Sequence, residues 1–117
     1  MSDLPLTDAE YERLTEAVLR SIESQVDAWL DADVVDMDQR RTGGLLELEC
    51  PDRSKLVVNT QPPLQEIWLA SRRGGFHFRY TDGAWRDTRD GAEFFSRLSE
   101  EASAQCGRAL VFRSTES

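Results

Sequence analysis

The chain is expected to fold as an α+β two-layer sandwich, with two helices packed on one face of a five- to six-stranded antiparallel sheet. An amphipathic helical pattern stands near each end, and short alternating runs fill the middle. The connections between those runs are too short for the crossovers that parallel strands require. A length of 117 residues supports one core, so a single domain over residues 1–117 follows.

The first helix opens on Thr7-x-x-Glu10, a capping-box pattern in which hydroxyl and carboxylate each satisfy an orphan backbone N–H. It is predicted from Asp8 to about Leu30. Tyr11, Leu14, Val18, Ile22, Val26 and Trp29 fall within an arc of about 120°, which makes them the core-facing stripe. Glu12, Glu16, Glu23, Asp27 and Asp31 gather within about 100° on the far side and share a solvent face.

Strand candidates follow at Val34 to Asp38, Leu45 to Cys50, Lys55 to Thr60, Glu66 to Ser71, Gly75 to Tyr80 and Ala84 to Thr88. Thr42-Gly43-Gly44, Pro51 to Ser54, Pro62-Pro63, Arg72-Arg73-Gly74 and Asp82-Gly83 separate them as turn signals. Asp90-x-x-Glu93 then starts a helix carrying Phe94, Phe95, Leu98 and Ala102 to about Cys106, with Gly107 as its terminator. Leu110 and Phe112 return a short apolar tail to the core.

With both helices on one face, the other sheet face meets water, and strand alternation says what it displays. Phe76, Phe78 and Tyr80 point inward, so His77 and Arg79 point out; Ile67 and Leu69 point inward, so Trp68 turns out beside Glu66. Asn59, Gln61, Arg72 and Arg73 are placed near Trp68 by the meander, as a polar rim around an aromatic anchor of the kind that binds protein.

Charge is segregated along the chain. Eleven acids and two bases in the first 38 residues sum to −9, while eleven acids and twelve bases from Gln39 onward sum to +1, which together make the net −8. Asp33, Asp36 and Asp38 extend the helical acidic stripe, and Glu47 and Glu49 continue it onto the next strand. Like charges at i,i+4 cost a helix about 0.2–0.5 kcal/mol per pair, so the stripe opposes stability and points to a cationic counterpart outside the fold. Carboxylate oxygens suit hard cations or iron, and an exposed set binds them weakly. Nucleic acid and anionic membranes, which need Lys and Arg against phosphate, are excluded as partners.

Other motif classes are missing from the sequence. Asp31 to Asp38 lacks the EF-hand pattern, no phosphate-binding glycine loop is present, and His77, the only histidine, has no nucleophile or second histidine in a recognised motif. Cys50 and Cys106 stand alone, in no metal-ligand spacing, and are expected as buried, reduced thiols. With no basic, apolar leader and no apolar run of about 18 residues, the expected compartment is the cytoplasm.

The run Val57-Val58-Asn59-Thr60-Gln61-Pro62-Pro63-Leu64-Gln65-Glu66-Ile67-Trp68-Leu69-Ala70-Ser71, followed by Gly74-Gly75-Phe76-His77-Phe78, closely resembles the signature of the frataxin family in its bacterial branch. The likeness extends to the acidic first helix ending near Trp29, the Asp82 to Trp85 turn and the closing helix. It implies an α-β sandwich that binds ferrous or ferric iron weakly on an acidic ridge and regulates iron-sulfur cluster assembly by docking on a cysteine desulfurase and scaffold protein. The ridge positions that match are Glu16, Glu23, Asp27, Asp31, Asp33, Asp36 and Asp38, and the matching sheet positions are Asn59, Gln61 and Trp68. Ser24 and Ala28 stand where relatives are often acidic, and Glu66 where they commonly carry Gln. The expected protein is a monomer without turnover, with an iron-dependent oligomer allowed. Two rivals remain: a ferroxidase or iron-storage enzyme in which clustered carboxylates hold two irons, and a metal-independent acidic interaction module.

Overall fold

Thr7 caps the first helix as its spacing requires: its hydroxyl accepts from the Glu10 amide at 3.0 Å, and the Glu10 carboxylate accepts from the Thr7 amide at 2.8 Å. The computed structural model describes residues 5–115, and the outermost positions of the domain expected over 1–117 lie outside them. Helix α1 runs Asp8–Asp31. Six antiparallel strands follow in sequential order: β1 Asp38–Thr42, β2 Leu45–Glu49, β3 Lys55–Gln61, β4 Glu66–Ser71, β5 Gly74–Thr81 and β6 Ala84–Asp87. Helix α2, Phe94–Cys106, is capped by the Glu93 carboxylate, which accepts from the Phe95 and Ser96 amides, and ends on Gly107 in the left-handed region. The two-layer α+β sandwich is therefore the observed fold.

Period-two alternation sends Leu46, Leu48, Leu56, Val58, Ile67, Leu69 and Phe78 to the helical side, where all are buried. They meet Val18, Leu19, Ile22 and Val26 from α1 and Phe94, Leu98 and Ala102 from α2. Leu14 and Trp29, expected in the stripe, are half-buried at its margin, and Leu19 takes a central place instead. Two close fits hold the hairpins: Asp82 and Gly83 both have positive φ, as a two-residue turn of matching twist demands, and a Cβ on Gly44 would lie 2.0 Å from the Thr60 hydroxyl oxygen.

Tyr11 bolts the layers together. Its buried hydroxyl donates to the Glu66 carbonyl at 2.6 Å and accepts from the Gln61 amide at 2.9 Å. Phenylalanine at this position would leave both backbone groups short of a partner, so Tyr11→Phe is expected to cost about 1–3 kcal/mol in urea unfolding with an unchanged m-value.

The first strand departs from expectation. Val34 to Asp38 is not a strand: Val35 and Met37 are buried in an irregular segment, and pairing begins only at Asp38. Residues Asp38–Thr42 carry no apolar alternation because β1 is an edge strand, where charge protects against further pairing. Its inward side chains, Gln39 and Arg41, lie under the flank of α1.

The cysteines also require correction. Cys50 and Cys106, expected as reduced thiols, form a disulfide with Cα atoms 5.3 Å apart. Antiparallel layering brings the end of α2 over the turn between β2 and β3, a contact across 56 residues that no local spacing reveals.

Candidate functional site: a divided acidic ridge and an aromatic sheet face

The expected ridge splits into two halves of different character. In the N-terminal half, Arg41 rises from β1 and is shared between carboxylates, binding Glu23 at 2.8 Å and forming a short ion pair with Glu16. Glu16 also pairs with Arg20 at 3.0 Å. The Arg41 hydrogen bond, with help from Arg20, holds the Glu16 carboxyl below the usual carboxylate range. Glu16 and Glu23 are thus neutralised by the protein itself, which corrects the reading of the whole stripe as solvent-facing and unpaired.

The C-terminal half is different. Asp27 accepts one hydrogen bond, from Gln39 Nε2 at 2.9 Å, and is otherwise exposed. Asp31, Asp33 and Asp36 are exposed, and their carboxylates make no hydrogen bond or ion pair among the described residues. They stand at the carboxyl end of α1, where the helix macrodipole is itself negative, and the last turn contains no basic residue. Two unfavourable terms therefore coincide there, and no ion pair among the described residues relieves them, the nearby Arg108 guanidinium being bound to the Val34 carbonyl.

Asp38 lies on a third surface. It faces out from the open side of the sheet directly opposite Glu49, and the neighbouring outward pair is Arg40 opposite Glu47. Lys55, opposite Glu49 on the next strand, lies 3.9 Å from Glu47. Among the described residues no three carboxylate, imidazole or thiol groups converge on a point that would hold a metal. The oxygen donors suit a hard cation or iron, and their separation and exposure suit loose, exchangeable capture of a bound cargo rather than a closed cage.

The open sheet face carries the second feature. Asn59, Trp68 and His77 stand side by side across β3, β4 and β5, as do Gln61, Glu66 and Arg79. The Trp68 indole stacks on the His77 imidazole with centroids 4.2 Å apart and planes 6° from parallel. Beneath them Glu66 is only 5% exposed; its carboxylate accepts from Trp68 Nε1 and from Arg79 Nε, each at 2.8 Å. This buried carboxylate orients the indole. Sequence reasoning placed Glu66 beside Trp68 but missed its clamping role, which the i,i+2 spacing and the Glu66–Arg79 register together disclose.

Arg72 and Arg73 do not complete that face. Arg72 reaches Asp52 at 2.9 Å, and the pair with Ser54 and Arg72 pulls the Asp52 carboxyl far below its ordinary value. Arg73 turns to the helical side and binds Glu101 of α2 at 2.6 Å. Both arginines brace the β4–β5 hairpin, so the rim around Trp68 is narrower and less basic than the meander suggested.

The fold and these surfaces have recognisable counterparts. The family model for the frataxin-like domain matches residues 4–108. An iron-sulfur cluster assembly protein CyaY from Paraburkholderia xenovorans (strain LB400) is 50% identical over 107 residues, spanning 92% of this chain and 98% of that protein. Among solved structures, a frataxin from Psychromonas ingrahamii superposes with a TM-score of 0.80 at 32% identity, covering 95% of this chain and 100% of its own. A trimeric frataxin from the yeast Saccharomyces cerevisiae, complexed with ferrous iron, superposes with a TM-score of 0.65 at 27% identity over 92% of each chain.

Proposed function

Since this chain belongs to the frataxin family, we propose that it serves iron-sulfur cluster assembly as an iron-responsive regulator without turnover of its own. The observation that carries the reading is the uncompensated end of α1: Asp31, Asp33 and Asp36 project into solvent at a negative helix pole, with Asp27 one turn before. Such a site attracts ferrous or ferric iron, and equally a basic surface of a cysteine desulfurase. Iron held there offsets the repulsion and changes what the same carboxylates can dock against. Trp68, Asn59 and Gln61, fixed on the rigid sheet, supply the second contact, to the scaffold protein.

The reading without turnover is supported by the placement of the parts. A ferroxidase needs carboxylates and histidine around a shared pair of irons, whereas His77 stacks on Trp68 on the open sheet face and the free aspartates stand at the end of α1. No helix of the described residues is long and apolar enough to cross a membrane, in keeping with the cytoplasmic setting proposed for the chain. We take the working form to be a monomer.

Anaerobic titration with ferrous iron, followed by 1H-15N correlation spectra, tests the proposal. The expected outcome is fast-exchange broadening concentrated on the amides of residues 27–36, with pull-down from a native lysate recovering a cysteine desulfurase. Broadening at His77 instead would move the cation away from the end of α1 and overturn this site, and no broadening would sink the iron reading and leave the metal-independent interaction module as the better account.

A further inference from the structure

We propose that the Cys50–Cys106 bond is a reversible thiol-disulfide exchange site that latches the acidic loop, so that a dithiol reductant loosens Asp33 and Asp36. The consequence for cation capture rests on the function proposed above; the latch itself does not. Three observations carry it.

Cys106, one end of the bond, lines a cleft of about 410 Å³. Asp33, Val34 and Asp36 form the facing wall, and Pro51, Cys106 and Arg108 line the sulfur side. Disulfide and free aspartates therefore share one cavity. The two cysteines also differ in exposure: Cys50 is buried at 2%, whereas Cys106 is partly exposed and lines the cleft. A nucleophile entering from solvent meets Cys106 first.

A direct mechanical link runs from the bond to the loop. Cys106 is the last residue of α2, and two residues later the Arg108 guanidinium donates to the Val34 carbonyl. The Val34 amide in turn donates to the Trp29 carbonyl at 2.8 Å, which ties the acidic loop back to α1. Helix ends fray unless tied, and the disulfide is the covalent tie at this end. The body of α2 has other anchors, because Gln105 bridges the Lys55 carbonyl and the Arg72 amide at 2.8 Å each. Opening the bond therefore removes the covalent tie on Cys106 and lets residues 106–109, with Arg108 among them, move between the points held by Gln105 and by the Ser103–Leu110 hydrogen bonds, while the helix stays docked.

The chemistry balances with a dithiol reductant. Its thiolate attacks Cys106 Sγ, the S–S bond breaks, and Cys50 leaves as a thiolate that takes up a proton. The reductant's second thiol then displaces Cys106 Sγ, which is protonated, and the dithiol ends as a disulfide; two electrons and two protons have passed to the chain. A low-molecular-weight disulfide reverses the sequence.

The test compares the oxidised chain, the chain treated with dithiothreitol, and Cys50→Ser/Cys106→Ser. Thiol titration should count two new thiols in protein whose circular dichroism is unchanged. Amide exchange at Val34 should rise about tenfold in the reduced and double-serine forms, with Ile22 in α1 as the internal reference, and Arg108→Gln should reproduce the rise with the disulfide intact. Resistance of the bond in folded protein, unfolding on reduction, or Val34 exchange that follows Ile22 would each overturn the latch. Ferrous-iron broadening, measured on the oxidised and double-serine forms, separates the two proposals: absence in both counts against the cation reading alone, because Val34 exchange decides the latch.

Discussion

Replacing Asp31, Asp33 and Asp36 together by Asn is expected to weaken ferrous-iron binding at least tenfold, while Glu16→Gln with Glu23→Gln leaves it within about twofold. The asymmetry follows from distance and screening. A divalent cation about 6 Å from one exposed carboxylate gains about 1.4 kcal/mol at the dielectric of water, roughly halved by physiological salt. Three such carboxylates then supply about 2 kcal/mol. Glu23 and Glu16 lie about 12 and 22 Å back along α1 from Asp31, beyond the screening length of about 8 Å, and Arg41 already neutralises them. Asparagine tolerates the left-handed conformation that Asp33 adopts at φ 56°, so the change is electrostatic rather than conformational. Stability should move the other way: losing the Asp31 charge from the last turn of α1 is expected to gain about 0.3–1 kcal/mol. Isothermal titration under argon and thermal melts of the same samples measure both. A larger binding loss in the Glu16/Glu23 pair would place the cation on the neutralised half.

What could be read from residues alone follows the range of the interactions involved. The capping box, Tyr11, Val18, Ile22 and Val26 of the α1 stripe and the outward phase of Trp68 depend on neighbours within four positions, and each stands where local spacing put it. Arg41 defeated that reading because its partners Glu16 and Glu23 lie 25 and 18 residues away, and because a polar strand at a sheet edge leaves no hydrophobic signature. The same limit hid the disulfide across 56 residues. Burial of Glu66 was concealed for another reason: an outward position on a sheet face was equated with exposure, whereas Trp68, His77 and Arg79 close over it. The acidic ridge was legible as charge, and its division into a paired and a free half was not. That division now defines the candidate site, since repulsion left unrelieved at the end of α1 has no structural benefit to explain it.

Trp68→Ala is expected to weaken docking on the iron-sulfur assembly partners by about thirtyfold or more, the cost of roughly 2 kcal/mol typical of a truncated aromatic anchor. The indole is suited to that role because its orientation is fixed before any partner arrives. Stacking on His77 and donation to the buried Glu66 carboxylate leave it little rotamer entropy to lose on binding. The fold should tolerate the loss within about 1 kcal/mol, because Trp68 is half-buried on the open face and Ile67 and Leu69 hold β4 to the core. Glu66→Gln makes the complementary case. The amide retains an acceptor for Trp68 Nε1 but gives up the charge that anchors Arg79, so docking should fall by less than in Trp68→Ala while Arg79 becomes free to move. Surface plasmon resonance against immobilised desulfurase and scaffold, with urea unfolding of each variant, distinguishes a contact residue from a structural one. Equal losses of stability and docking in Trp68→Ala would assign the indole to the fold, and unchanged docking would move the partner surface elsewhere on the sheet.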